Sequence, residues 1–117
     1  MTTLTPSQRY RLDQLIARAC EKFDVTTDEL SSHSTARSAR HDPAVLARSA
    51  IYLHARDVLG LSQDQIVSVV GGQHRSSVSN GVGMIRTWMR GDRLLAERVD
   101  SLRLFAISLL EVERLSA

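Results

Sequence analysis

The run Gly71-Gly72-Gln73-His74-Arg75-Ser76-Ser77 brings an amide, an imidazole, a guanidinium and two hydroxyls behind two glycines. Each of these side chains can hydrogen-bond base edges or phosphate oxygens, and none is an acid that would repel a polyanion. After it, Val78, Val82, Ile85 and Met89 recur at helical spacing and form a stripe for a core. The opposite positions, Ser76, Ser79, Asn80, Gly83, Arg86 and Arg90, contain neither an acid nor a large apolar group. Such a face can lie close to a sugar-phosphate backbone, and the free N–H groups at the helix start suit a phosphate. A short helix ahead of the glycines completes the order of a helix-turn-helix, whose second helix enters the major groove by its N-terminal residues, here Gln73 to Ser77. Helical hairpins with no nucleic-acid partner also use Gly-Gly turns. The first apolar anchor, Val78, falls late for the tightest such motif, which requires a longer turn.

Charge is distributed in the same sense. The net charge is +2, but residues 1–30 and 92–117 each sum to −1 while residues 31–91 sum to +4. No acid lies between Asp64 and Asp92, where Arg75, Arg86 and Arg90 are found. A local basic field is what a polyanion partner requires, although a solvated face can show the same sign bias. With 117 residues, 43% hydrophobic and 24% charged, the chain is expected to form one domain around one core. Aromatic residues are 4%, so Leu, Val, Ile and Ala must fill that core.

The elements that position these residues read as all-α. Thr5-Pro6 is an N-cap with a first-turn proline, and Leu12, Leu15, Ile16, Ala19, Cys20 and Phe23 continue a helix from about Pro6 to Lys22. Thr26 and Glu29 form a capping-box pattern for a short helix near Thr27–Ser31. Ser31 to His41 lacks large apolar residues and acids and is expected to be a loop. Asp42-Pro43 starts a helix to about Leu59, stopped by Gly60. Ser62 caps a helix over Gln63–Val70, and another runs from near His74 to about Arg90. Arg93 to about Leu115 is a long last helix with Leu95, Val99, Leu102, Phe105, Leu109 and Val112 on one face. The expectation is a compact bundle of about six helices containing a helix-turn-helix, without period-2 strands or repeats.

In this order of elements the chain resembles the C-terminal DNA-binding domain (domain IV) of the bacterial replication initiator DnaA. That family carries an arginine-rich loop, a long helix, a Ser-capped short helix and the signature Gly-Gly-Arg-Asp-His-Thr-Thr-Val. The matching run here is Gly71-Gly72-Gln73-His74-Arg75-Ser76-Ser77-Val78. Leu46 to Leu53 with Arg56 to Leu59 is similar to the family's long helix, and Phe23-Asp24-Val25 with Glu29-Leu30 to its opening segment. The likeness spans roughly residues 10–104 and leaves 105–117 as a helical extension. It implies that Arg40, or Arg37 in a shifted loop, enters the minor groove. Arg48 and Arg56 match backbone-contacting positions, sharing a face with Tyr52 at steps of four. Gln63 and Asp64 fall where the short helix meets phosphate, a poor place for an acid. His74, Arg75 and Ser76 fall at the base-reading positions, and Ser77 and Asn80 at phosphate contacts. The family's Asp-His-Thr is replaced by His74-Arg75-Ser76, exchanging an acceptor for a bidentate donor matched to guanine. The initiator's own box is therefore not the expected target.

Other functions are poorly supported. The sequence has no phosphate-loop lysine motif, no HExxH and no cue pairing a nucleophile with a base, so no catalytic residue and no cofactor is expected. Cys20 is alone and reads as a core thiol, and His33, His41 and His54 lack metal-ligand spacing. Trp88 between Met84 and Met89 reads as core rather than as a stacking platform. No apolar run approaches the roughly 20 residues of a membrane span, and Met1 to Pro6 does not read as a signal peptide, so a cytoplasmic, nucleoid-associated protein is expected. The expected partner is double-stranded DNA and the expected role transcription regulation. A detached reader domain of this kind suggests a phage-like or gene-transfer-agent activator, with a replication-control adaptor as the nearest variant. From a different class, the last helix could serve a helical protein-interaction module, docking transcription or replication machinery or a second copy.

Overall fold

A computed structural model of the chain describes residues 3–31, 42–71 and 76–116. Among the described residues there are six helices and no strand: α1 (Pro6–Phe23), α2 (Thr27–Ser31), α3 (Pro43–Asp57), α4 (Gln63–Val70), α5 (Ser76–Gly91) and α6 (Arg93–Ser116). The expected loop over 32–41, with Arg37 and Arg40, and the turn residues Gly72, Gln73, His74 and Arg75 lie outside the described residues.

Helix α3 is the hub and packs against all five other helices. It is buried on nearly every side from Ala44 to Ala55, with Ala47, Ala50, Ile51 and Ala55 fully enclosed. Its alanines give neighbouring helices room to approach, and a helix covered on all sides shows little amphipathic contrast. Around it, Leu12 and Leu15 of α1, Ile66 of α4, Val78 and Ile85 of α5, and Val99 and Leu102 of α6 complete one core.

The ends are set by local chemistry. Thr5 and Gln8 form a reciprocal capping box on α1, adding the glutamine to the expected threonine cap, and α1 ends with Asp24 in the left-handed conformation. Thr26 and Glu29 cap α2 reciprocally at 3.1 Å in both directions. Helix α3 stops at Asp57, two residues before the expected Leu59. Gly60 turns left-handed (φ +70°) and the Leu61 N–H reaches back to the Ala55 carbonyl at 3.0 Å, closing the end two residues early. Asp92 caps α6 by accepting from the Leu95 N–H at 3.0 Å.

Helix α6 differs from expectation in its packed face. Leu95, Val99, Leu102 and Ala106 are buried, Phe105 and Leu109 are partly covered, and Val112 is 63% exposed. Val112 sits about a quarter of a turn from the buried row, so it leaves the core as the helix continues. Two guanidinium–ring contacts tie α6 to α1: Arg18 over Phe105 at 5.2 Å and Arg98 over Phe23 at 5.9 Å.

His54 is a packing residue, buried on α3 with Nε2 at 2.8 Å from the Val99 carbonyl. Burial holds its pKa below the ordinary value, outweighing the opposing effect of the Val99 carbonyl. The folded state therefore resists protonation while the unfolded chain accepts it. Stability due to His54 is complete above the ordinary histidine pKa of about 6.5 and is lost as pH falls below it, by at most about 1.4 kcal/mol per pH unit. Urea midpoints measured from about pH 7.5 down to 5.5 should fall over that window, and a flat profile would contradict a buried neutral His54.

Candidate nucleic-acid interface

Helices α4 and α5 pack together and on α3, joined by residues 71–75. Local contacts set the ends of α4 and hold it against α5 and α3. Ser62 and Gln65 form a reciprocal capping box at the start of α4. Gln63 donates from Nε2 to the Ser79 Oγ at 2.9 Å, holding the first turn of α4 against α5. At the other end of α4, Gly71 has φ +93°, its N–H bonds the Val67 carbonyl, and its own carbonyl accepts from the Tyr52 hydroxyl at 2.8 Å. Burial raises the Tyr52 pKa, more than the nearby Arg48 lowers it, so the phenol stays protonated as the donor of that bond.

Helix α5 approaches α3 at Gly81. A Cβ there would stand 2.7 Å from a ring carbon of Tyr52 and 3.3 Å from the Ser49 Oγ. Val78, Val82 and Ile85 are buried beside this contact, and Met89 and Trp88 are partly covered against the same core. The outer face presents Ser79, Asn80, Gly83, Met84, Arg86, Thr87 and Arg90, all exposed and none acidic. A Cβ on Gly83 would meet nothing within 4 Å. Thr87 turns its hydroxyl back to the Gly83 carbonyl at 3.0 Å.

The residues singled out by sequence are partly brought together. Asn80 is exposed on the outer face of α5, Ser77 is half-buried near its start, and Ser76 opens that helix. Arg56 is half-buried at the end of α3, where its Nε donates to Asp57 at 3.0 Å. The same carboxylate accepts from Arg86 of α5. Arg48 lies two turns away along α3 and donates to the Leu30 carbonyl at 3.0 Å, closing the end of α2. Tyr52, between them on the shared face, is covered by α5 and is not open to a ligand. Asp64, half-buried, lies in the first turn of α4. Gln73, His74 and Arg75 are outside the described residues, as are Arg37 and Arg40.

Sequence reasoning did not find the Asp57 bridge, the Gly81 contact or the Tyr52–Gly71 bond. Two glycines inside one helical pattern, Gly81 and Gly83, were a usable signal that one of them marks a close approach. Asp57 and Arg86 are 29 residues apart, and no local pattern pairs them.

Among the described residues no helix is long and apolar enough to cross a membrane, and no three His, Cys, Asp or Glu side chains group as a metal site. No family model, curated protein or solved structure matches this chain.

Proposed function

We propose that the chain binds double-stranded DNA sequence-specifically through α4 and α5 acting as a helix-turn-helix, and that it works as a transcription regulator rather than an enzyme. The observation that carries this reading is the acid-free outer face of α5, exposed from Ser79 to Arg90 and braced at one end by Gln63 of α4. Hydroxyls, an amide and arginines on a rigid helix can follow a phosphate backbone, while the preceding segment meets base edges. The resemblance to the initiator's reader domain supports the same docking mode, with Gln73, His74, Arg75 and Ser76 reading bases and Arg48, Arg56, Ser77 and Asn80 at the backbone. Arg37 and Arg40 would serve the minor groove, and the protein would reside at the nucleoid.

Enrichment from a randomised duplex pool, followed by anisotropy titrations across salt, tests this. Affinity should fall steeply as salt rises, through counterion release. Arg75→Ala should weaken the enriched site by about 1–3 kcal/mol, whereas Arg56→Ala should weaken every sequence alike and reduce the salt slope by about one. Failure to bind any duplex at low salt would overturn the proposal. The exposed side of α6, with Leu104 66% and Val112 63% exposed, would then favour a protein-interaction module.

A further inference from the structure

Asp57 stands where helix electrostatics disfavour an acid. It is the last residue of α3, and the C-terminal end of a helix carries partial negative charge. Its carboxylate is shared between two cations, accepting from Arg56 Nε through Oδ1 and from Arg86 through Oδ2. All three side chains keep contact with solvent, Arg56 at 32%, Asp57 at 36% and Arg86 at 51% exposure. Arg86 follows Ser79 by two turns along α5, so the cluster continues the flank on which Gln63 of α4 holds α5. An acid at this place lowers the positive potential beside an otherwise acid-free face.

We propose that Asp57 restrains DNA affinity, as an internal anion with which DNA phosphate must compete for Arg56 and Arg86. This rests on the DNA-binding reading above. Phosphate contacts supply affinity without sequence information, so holding two arginines in an internal pair lowers affinity for every duplex by about the same factor and leaves base reading unchanged. Asp57 is thereby a positioning residue that keeps phosphate contacts alone from holding DNA of any sequence tightly. Exposed pairs of this kind are weak enough for a phosphate to exchange with.

The test compares wild type, Asp57→Asn, Asp57→Glu, Arg86→Ala and the Asp57→Asn/Arg86→Ala double variant on a short random-sequence duplex and on the enriched site. Asp57→Asn should bind random DNA about three- to tenfold more tightly, with a salt slope steeper by about one phosphate contact. Its affinity for the enriched site should rise by a similar factor, leaving the ratio of specific to random affinity and the melting temperature near those of wild type. Asp57→Glu should restore wild-type behaviour, and the double variant should lose at least half of the gain. Unchanged or weaker random-DNA binding by Asp57→Asn, in a wild type that does bind DNA, overturns this inference alone. A wild-type chain that binds no duplex overturns the DNA-binding reading and this inference with it.

Discussion

Replacing Gly81 with valine is expected to destabilise the fold by about 3 kcal/mol, through overpacking between α3 and α5. The first added carbon already falls 2.7 Å from the Tyr52 ring, and that ring is buried and tethered through its hydroxyl to Gly71. It cannot swing aside as the end of a flexible chain would. Valine then adds two methyl groups and a stiff χ1 in a helix. Gly81→Ala should cost less, about 1 kcal/mol net, because alanine's gain in helix propensity partly offsets the clash. Two residues along, Gly83→Ala should instead stabilise by about 0.5–1 kcal/mol, since its Cβ would enter open space on the same helix. Urea denaturation of the three variants gives the check. A matching sign at the two alanine positions would mean that α3 and α5 do not approach as closely as Gly81 indicates.

This contrast shows where sequence reading succeeds and where it stops. Helix starts were legible because caps are local: Thr5-Pro6, Thr26 with Glu29, Asp42-Pro43 and Ser62 with Gln65 place their donors and acceptors within four residues. The core stripe of α5 was legible because Val78, Val82 and Ile85 keep one helical period. The central place of α3 was not, because a helix buried all round loses the contrast that marks a face. Tyr52 shows this most clearly. Its spacing with Arg48 and Arg56 suggested an open basic face, yet α5 crosses that face at Gly81 and leaves the arginines on either side. The Asp57 bridge joins residues that only the packing of α3 against α5 brings together. Ser79, Asn80, Gly83, Arg86 and Arg90 are exposed and acid-free as read, but Met84, expected in the core, joins them on this face, because position 84 falls off the row of Val78, Val82 and Ile85.

Tyr52→Ala should cost about 3–5 kcal/mol, as expected for removing a buried aromatic ring from a packed centre. The more informative variant is Tyr52→Phe, which keeps the ring under Gly81 and removes only the hydroxyl. Its expected cost is about 1 kcal/mol, for one hydrogen bond to the Gly71 carbonyl. That carbonyl lies two residues before the segment proposed to read bases, and Gly71 is already held at a backbone angle that other residues rarely adopt. Releasing it frees the direction in which the chain leaves α4. Non-specific affinity depends on arginines elsewhere and should be nearly unchanged in Tyr52→Phe. Affinity for the enriched site should fall more than the stability loss accounts for, because the direction of the Gly71 carbonyl must then be fixed on binding. Thermal melts beside anisotropy on specific and random duplexes separate the two effects. A proportional loss on both duplexes would assign Tyr52 to stability alone, and a selective loss would make its hydroxyl the link between the buried hub helix and the reading turn.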